Sequence, residues 1–305
     1  MKGRIVKGLG GLYEVRAQGG KRINCTARGV FRHEGLTPLV GDFVEIRLEN
    51  DDEGVITDIS ERKNSLIRPP LANIDYLFCF VPCAQPAPVF ETFDKLTAIA
   101  EHNGIEPVIV VSKLDLGGES DKIRTIYEKC GYSVFGVSAE TGEGVDLLCE
   151  YLKNTVGDGT AAFAGASGVG KSTLMNNLFP ALSLKTGGVS RKTERGRHTT
   201  RHAELYYVNE YGYSDLDCIV ADTPGFSMLD FLRFDFFDKE SLPYNFREFL
   251  PYISECKYRG CTHMGEEGCA VLEAVENGEI PESRYDSFSQ IYKEIKDKRP
   301  WNVKN

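Results

Sequence analysis

Several features that mark whole classes of protein are absent from this sequence. No stretch approaches the roughly 18 consecutive apolar residues that a membrane-spanning helix needs, and the basic N-terminus is not followed by the apolar stretch of a signal peptide. The nine cysteines do not have the spacing of a secreted disulfide framework. We therefore expect a cytoplasmic protein with no membrane partner, and its 305 residues suggest two or three domains.

Six of the nine cysteines are scattered along the chain, several of them inside apolar runs. Free buried cysteine behaves as a small apolar residue, so we interpret these six as members of the core. They are Cys25, Cys79, Cys83, Cys130, Cys149 and Cys218.

The net charge of −9, taken over the whole chain, argues against nucleic-acid binding, but the charge is unevenly distributed. Residues 1–35 contain eight Lys/Arg and two acidic residues, whereas residues 36–61 contain eight acidic residues and one Arg. Residues 185–202 contain six Lys/Arg, one Glu and two histidines. These basic blocks can form a surface that binds phosphate groups; the alternative is that the charges are dispersed over different solvated faces.

The first part of the chain is predicted to be a small all-β domain. Short segments of alternating apolar and polar residues, separated by glycines, occupy 11–16, 22–28, 42–48 and 54–59. Four or five strands in so short a segment favour a closed barrel, and the OB-fold, which often binds looped or single-stranded nucleic acid, fits best. A barrel that serves only for packing is the alternative.

From residue 72 onward the pattern changes to that of an α/β sheet. Residues 75–81 and 107–111 are near-continuous apolar runs, typical of parallel strands buried on both faces. Predicted helices and further strands alternate with them, which indicates helices on both faces of the sheet. The helices are predicted near 89–102, 119–130 and 144–153, and the strands at 133–137, 160–164 and 216–221.

Residues 165–173, Gly-Ala-Ser-Gly-Val-Gly-Lys-Ser-Thr, match the P-loop pattern. Its glycines let backbone N–H groups face phosphate oxygens, and the following helix offers its positive end. Lys171 is expected to reach the β- and γ-phosphates, and the Ser172 hydroxyl to bind Mg²⁺. The residues expected to bind the nucleotide here are Gly165, Ala166, Ser167, Gly168, Val169, Gly170, Lys171, Ser172 and Thr173.

Two short motifs at predicted strand ends favour guanine. Ser112 begins the sequence Ser-Lys-Leu-Asp, in which the Asp115 carboxylate can accept from both guanine N1–H and the exocyclic amine, and the Lys113 stem can cover a base face. Ser138 and Ala139 begin a second motif, which suits a backbone N–H directed at guanine O6. Because ligands of open α/β sheets bind at such strand ends, the predicted nucleotide is GTP, with GDP as the product.

A third motif, Asp-Thr-Pro-Gly, follows the strand at 216–221. Asp222 at a strand end facing the P-loop is expected to hold Mg²⁺, usually through water. Gly225 can give its backbone N–H to the γ-phosphate.

Three cysteines and a histidine lie close together near the C-terminus. Thiolate and imidazole ligands in a set of four suit a tetrahedral Zn²⁺ and leave no open position for catalysis, so a structural zinc is predicted. Small buried cysteines beside an unrelated histidine are the alternative. The predicted ligands are Cys256, Cys261, His263 and Cys269.

The order of these motifs is reversed relative to ordinary GTPases, because the base-reading motifs at 112–115 and 138–140 precede the P-loop. This order indicates a circularly permuted GTPase. With a β-barrel before it and a Cys/His cluster after it, essentially the whole chain resembles the bacterial small-ribosomal-subunit-dependent GTPase family.

The resemblance implies an α/β fold: a circularly permuted P-loop GTPase domain over residues 69–232, flanked by a small all-β OB barrel over 1–68 and a mostly helical zinc-binding domain over 233–305. The implied activity is GTP hydrolysis, stimulated by the 30S ribosomal subunit and used in late maturation of that subunit. The implied partners are the 30S subunit and 16S rRNA, without DNA, and the implied state is a monomer.

Two departures from the commonest GTPase pattern bear on the site. Ser112 occupies the place of an asparagine and can make only part of its bridging hydrogen bonds. Phe226 follows Gly225, where many GTPases have a glutamine that orients the attacking water. Another group must then position this water, and the candidate is His198; the alternative is an exposed histidine in a basic loop.

His198 belongs to the segment between the P-loop and Asp222, where the first switch loop of a GTPase belongs. Thr199 or Thr200 would bind Mg²⁺ there when the γ-phosphate is present, and Thr200, nearer the next strand, is favoured.

Two other functions remain open at the level of sequence. One is a P-loop ATPase of RNA metabolism, against which Asp115 argues, because adenine lacks the pair of donors that this carboxylate accepts. The other is an RNA-binding protein that nucleotide only stabilises, without significant turnover. The intact set of Mg²⁺ ligands argues against that alternative.

Overall fold

The computed structural model describes residues 1–29, 31, 35–182, 203–222 and 236–296. Its strands are β1 (Lys2–Leu9), β2 (Leu12–Ala17), β3 (Arg22–Ala27), β4 (Phe43–Leu48), β5 (Glu53–Ile59), β6 (Ser65–Leu66), β7 (Leu71–Ala72), β8 (Tyr76–Pro82), β9 (Glu106–Ser112), β10 (Ser133–Val137), β11 (Thr160–Ala164), β12 (Glu204–Tyr207) and β13 (Ile219–Asp222). Its α-helices are α1 (Phe90–His102), α2 (Ser120–Lys129), α3 (Val145–Tyr151), α4 (Lys171–Leu178), α5 (Leu250–Ile253), α6 (Ala270–Glu276) and α7 (Glu282–Ile295). Within these ranges, no helix is both long enough and apolar enough to cross a membrane.

The first five strands close into a barrel in the order β1-β2-β3-β5-β4, and β4 returns to pair with β1. The β3–β5 pair is parallel and the other pairs are antiparallel. The predicted OB-like barrel is therefore confirmed. The predicted segments omitted β1, in which the register shifts between Ile5 and Lys7. This bulge leaves Ile5 and Val6 both buried, so the strand does not show simple alternation.

The middle of the chain forms an α/β sheet in the order β10-β9-β8-β11-β13-β12, in which only the β13–β12 pair is antiparallel. Along β8, Leu77, Cys79 and Val81 belong to one core, and Phe78 and Phe80 belong to another. The strand is thus buried on both faces, as its apolar run predicts. Because the five parallel strands run in one direction, their carboxyl ends meet at one edge of the sheet.

The barrel and the α/β sheet are joined into one 11-stranded sheet by the pairing of β1 with β12. Across this pairing, Lys7 Nζ donates to Glu204 Oε2 at 2.8 Å. The buried Arg4 guanidinium adds a second link, because it donates to the Asn73 carbonyl at 2.8 Å and to the Thr160 hydroxyl at 2.9 Å. Thr160 begins β11, the strand that leads into the P-loop.

The C-terminal helices are attached to the α/β domain through a fully buried arginine on α7. Arg284 donates to Asp94 Oδ1 of α1 at 2.5 Å and to Glu248 Oε1 at 2.6 Å, and none of these side chains is more than 4% exposed. Asp94 also accepts from the Tyr127 hydroxyl at 2.7 Å. Because buried charges are costly unless they are paired, this network fixes how α7 packs on α1.

We expect Arg284→Met to lower the free energy of unfolding by about 3–5 kcal/mol, because it leaves two buried carboxylates without their counter-charge. Urea unfolding followed by circular dichroism measures the change. The control is Arg124→Met on α2, where a half-exposed guanidinium lies 3.9 Å from Glu128 and a surface pair contributes at most about 1 kcal/mol. Equal effects of the two substitutions would contradict the role given to Arg284.

Candidate nucleotide site and metal centre

The P-loop lies between β11 and α4 at the edge where the parallel strands end. At Gly165, with φ of 148°, a Cβ would lie 2.9 Å from the Phe80 carbonyl oxygen, so glycine lets the loop pass close to β8. Gly170, with φ of 97°, adopts the left-handed conformation immediately before α4. Residues 166–168 are exposed and Val169 is buried beneath them. The exposed loop therefore borders the positive end of α4, as anion binding requires.

Lys171, the first residue of α4, extends its ammonium group back over the loop. Its Nζ donates to the carbonyl oxygens of Gly165 at 2.6 Å and Ala166 at 2.9 Å. Burial lowers the pKa of Lys171 to about 8. Phosphate oxygens would supply the opposite charge and favour the ammonium form, which fits a lysine that binds the β- and γ-phosphates. Ser172 and Thr173 follow it on the same helical turn.

The two base-reading motifs lie next to each other and next to the P-loop. The Ser112 hydroxyl donates to the Val169 carbonyl oxygen inside the P-loop at 2.7 Å. The Ser138 hydroxyl donates to Asp115 Oδ1 at 2.6 Å. The same Ser138 oxygen accepts from the backbone N–H groups of residues 140 and 141, at 3.2 and 3.1 Å. Asp115 is thus held by the motif expected to face the same base.

Two further contacts lie beside the motifs predicted to face guanine. Lys113 has a left-handed backbone, with φ of 65°, and its Nζ donates to the Gln85 carbonyl oxygen at 2.6 Å. Asn177 of α4 donates its side-chain amide to the Ala139 carbonyl oxygen. Asn177 was not predicted as a site residue, because a polar residue inside a helix carries no sequence signal for a partner 38 positions away.

Asp222 lies at the same edge as the P-loop. It ends β13, one position after Ala221, which is paired in parallel with Ala162 of β11. The Asp222 carboxylate and the Ser172 hydroxyl are oxygen donors of the kind that Mg²⁺ prefers. The other residues of the predicted switch and magnesium set lie outside the described residues: His198, Thr199, Thr200, Gly225 and Phe226.

The predicted zinc ligands come together in the C-terminal domain. The ligand atoms of Cys256, Cys261, His263 and Cys269 all lie within 4.8 Å of one another. His263 Nδ1 is 3.3 Å from Cys269 Sγ and 3.7 Å from Cys256 Sγ. In a tetrahedral zinc site with Zn–S bonds of about 2.3 Å, neighbouring ligand atoms lie roughly 3.5–3.8 Å apart. The donor set and its spacing therefore fit Zn²⁺.

A carboxylate beside this cluster shapes the loop that carries His263. Glu266 accepts from the backbone N–H groups of Thr262 and Met264, each at 2.9 Å, and from the Thr262 hydroxyl. Burial alone would raise the pKa of Glu266, but these hydrogen bonds lower it to about 2. The residue is thus ionised at neutral pH and holds both neighbours of His263, which itself has a left-handed backbone with φ of 58°.

The chain matches two family models and is similar to curated proteins over its whole length. The model described as RsgA GTPase matches residues 59–232, and the one described as RsgA N-terminal domain matches residues 2–56. A protein named small ribosomal subunit biogenesis GTPase RsgA, from Caldanaerobacter subterraneus subsp. tengcongensis, is 41% identical, with 100% of this chain and 99% of the relative covered. A protein of the same name from Bacillus subtilis is 39% identical, with 98% and 99% covered.

Solved structures give the same result for the fold. The crystal structure of YloQ, described as a circularly permuted GTPase, is 37% identical with a TM-score of 0.74, and the alignment covers 98% of this chain and 96% of YloQ. The crystal structure of YjeQ from Thermotoga maritima is 34% identical with a TM-score of 0.77, and the alignment covers 98% and 99% of the two chains.

We expect Glu266→Gln to release zinc about tenfold faster than the unchanged protein, because residues that orient metal ligands typically affect metal affinity by this amount or more. The side-chain amide of a glutamine would direct an N–H group toward backbone N–H groups that now donate to the Glu266 carboxylate. Transfer of zinc to a chromogenic chelator at neutral pH measures the rate. Glu267→Gln removes a neighbouring, largely exposed carboxylate paired with Lys257 and serves as the control; indistinguishable rates in the two variants would contradict the prediction.

Proposed function

The chain belongs to the RsgA GTPase family, and from this premise we propose that it hydrolyses GTP during late maturation of the 30S ribosomal subunit, to which it binds through 16S rRNA. Membership confirms the predicted family, fold class and GTPase activity. Relatives carry the name small ribosomal subunit biogenesis GTPase. The observation that carries the proposal is spatial: Ser112 bonds to the P-loop and Ser138 bonds to Asp115, although all three precede the P-loop in the sequence.

In the proposed site, GTP lies along the edge of the sheet, with its phosphates on the loop at 165–173 and its base against the segments at 112–115 and 138–140. Asp115 accepts from guanine N1–H and the exocyclic amine, and the hydrogen bond from Ser138 supports this by fixing one carboxylate oxygen. Adenine offers no such pair of donors. This argues against the alternative of an ATPase.

Magnesium binding is proposed for Ser172 and Thr200, with Asp222 acting through water and the Gly225 N–H reaching the γ-phosphate. The ion neutralises charge on the phosphates, as is general in phosphoryl transfer. Positioning of the attacking water is assigned to His198, because the phenylalanine after Gly225 has no hydrogen-bonding group.

We assign the RNA-binding role to the barrel domain, residues 1–68, attached to a GTPase domain over 69–232. The Arg16 guanidinium of β2 stacks over the Tyr207 ring of β12 at 3.9 Å and also donates to Glu210 Oε1. Cationic and aromatic groups of this kind bind single-stranded RNA. The proposed partner is therefore 16S rRNA rather than DNA, and the protein would act as a monomer in the cytoplasm.

The C-terminal domain, residues 233–305, is proposed to be held by one structural zinc. Four protein ligands leave no position open for substrate. The metal would therefore stabilise the loop between α5 and α6 and would take no part in hydrolysis.

The proposal is tested by measuring GTP turnover with and without purified 30S subunits. We expect slow hydrolysis by the protein alone and stimulation of at least about tenfold by 30S subunits, since a partner can supply or position groups that stabilise the transition state of phosphoryl transfer. ATP in place of GTP tests the ATPase alternative. Absence of single-turnover hydrolysis in the presence of 30S subunits would instead favour an RNA-binding protein that nucleotide only stabilises.

His198→Ala should retain GTP binding and lose most of the 30S-stimulated turnover, by about 100-fold, the usual contribution of a group that positions a reacting water or transfers its proton. Binding of a non-hydrolysable GTP analogue is measured beside turnover. His202→Ala removes the other histidine of the same basic segment and is the control. Unchanged turnover in His198→Ala would exclude this residue as the group that positions water.

A further inference from the structure

We propose that Cys83 is the positioning residue of the guanine-recognition loop, defined here as residues 112–119, and this inference rests on the GTP-binding role proposed above. The sequence predicts only a small buried apolar residue at this position. In the structure Cys83 is 2% exposed and directly follows β8, at the edge where the nucleotide site lies. Its location places a thiol directly behind the segment that carries Asp115.

Cys83 contacts the loop through both its backbone and its side chain. Its N–H donates to the Ser112 carbonyl oxygen at 3.0 Å, and its carbonyl oxygen accepts from the Glu119 N–H at 3.0 Å. Its thiol lies 3.1 Å from the Lys113 carbonyl oxygen and 3.2 Å from that of Gly117. Cys83 therefore contacts the loop at four residues, which include its first and last.

The thiol contacts are short for sulfur. The buried thiols of Cys79 and Cys25 lie 3.5 and 3.7 Å from their carbonyl partners. Those partners are Leu77 and Ile23, each two residues earlier in the same strand, so these contacts connect nothing distant in the sequence. Cys83 differs because its acceptors are 30 and 34 positions away and belong to the guanine-recognition loop.

The loop is built to pack directly on Cys83. Lys113 and Gly117 both have φ of 65°, and they bracket the turn that carries Asp115. At Gly118, with φ of 117°, a Cβ would lie only 2.3 Å from the Cys83 carbonyl oxygen. A non-glycine residue in the left-handed region, such as Lys113, persists only when its surroundings hold it there, and the thiol provides such a contact at its carbonyl oxygen.

These contacts bear on base recognition because of where Asp115 lies. The two carbonyl groups that face the thiol are those of the residues two before and two after Asp115. To accept two hydrogen bonds from guanine, the carboxylate must be held in a fixed plane, and pairs of this kind lose strength steeply when misaligned. Without the thiol, the turn would keep the Ser138 contact and the backbone hydrogen bonds of Cys83, but it would lose the contacts at the Lys113 and Gly117 carbonyl oxygens.

The test compares Cys83→Ala with Cys83→Ser and with Cys79→Ala. Cys79 lies on β8, the strand that Cys83 follows; it is fully buried and its thiol contacts Leu77 rather than the loop, so its removal controls for loss of a core thiol. Binding of GDP and of inosine diphosphate, which lacks the exocyclic amine, is measured by calorimetry in the full-length protein. We expect Cys83→Ala to raise the Kd for GDP about fivefold to tenfold, the equivalent of one hydrogen bond.

The ratio of the Kd for inosine diphosphate to the Kd for GDP separates positioning from general stability. Partial unfolding lowers the active fraction of protein for both nucleotides and leaves the ratio unchanged. A displaced Asp115 lowers the ratio, because it weakens the contact with the exocyclic amine that only GDP has. We expect a lowered ratio in Cys83→Ala. The ratio should stay near that of the unchanged protein in Cys83→Ser, which keeps a donor, and should be unchanged in Cys79→Ala. Equal ratios in all three variants would overturn the proposal.

Adding ADP to these measurements distinguishes failure of this inference from failure of the proposed function. If the unchanged protein binds GDP no more tightly than ADP, the guanine site itself is wrong. If it selects GDP and Cys83→Ala behaves like Cys79→Ala, only the role of Cys83 is wrong. Should Cys83→Ala fail to fold, Cys83→Val takes its place as the variant that lacks a donor. The proposal then requires a lowered ratio in Cys83→Val, and an affinity and a ratio in Cys83→Ser equal to those of Cys79→Ala.

Discussion

Parallel pairing of β9, β8, β11 and β13 is the constraint on which the nucleotide site depends. Parallel strands bring their carboxyl ends to one edge of the sheet. This is true for any order of the strands in the sequence. The base-reading segments after β9 and β10 can therefore precede the P-loop after β11 in sequence and still lie beside it. The 2.7 Å hydrogen bond from Ser112 to the Val169 carbonyl oxygen is the direct result of this arrangement. Permutation changes the connections between strands and leaves the chemistry of the edge in place.

The connections, in turn, determine where the flanking domains attach. The barrel is joined through β12, the strand that follows the basic segment at 185–202 and pairs with β13. Lys7, Glu204 and Asp222 lie opposite one another across three neighbouring strands. Two carboxylates facing each other repel, and the Lys7 ammonium, 2.8 Å from Glu204, offsets part of this repulsion. The barrel thus contributes a charge two strands away from Asp222, which is proposed to act on magnesium through water, so its attachment and the electrostatics of that edge are linked.

The features that local pattern can predict were predicted from the sequence: the P-loop, the base-reading motifs, the Cys/His cluster, the barrel and the buried parallel strands. The contacts that could not be predicted join residues far apart. Arg284 and Asp94 are separated by 190 positions, and nothing in either helix indicates the other. Cys83 and Asn177 look like an ordinary core residue and an ordinary helical residue. Their roles come from the packing of whole elements, which periodicity and composition do not encode.

The serine at position 112 shows how such contacts fit together. Where the commonest GTPase motif has asparagine, one side chain is long enough to bridge several backbone groups. Ser112 is shorter and reaches the P-loop carbonyl of Val169, with a longer contact of 3.4 Å to Val81. The Cys83 thiol adds support to the loop, because it faces the carbonyl groups of Lys113 and Gly117. Two short side chains, Ser112 at the end of β9 and Cys83 directly after β8, therefore share the bridging that asparagine does alone. Asp115 lies in the turn between the two carbonyl groups that face the Cys83 thiol.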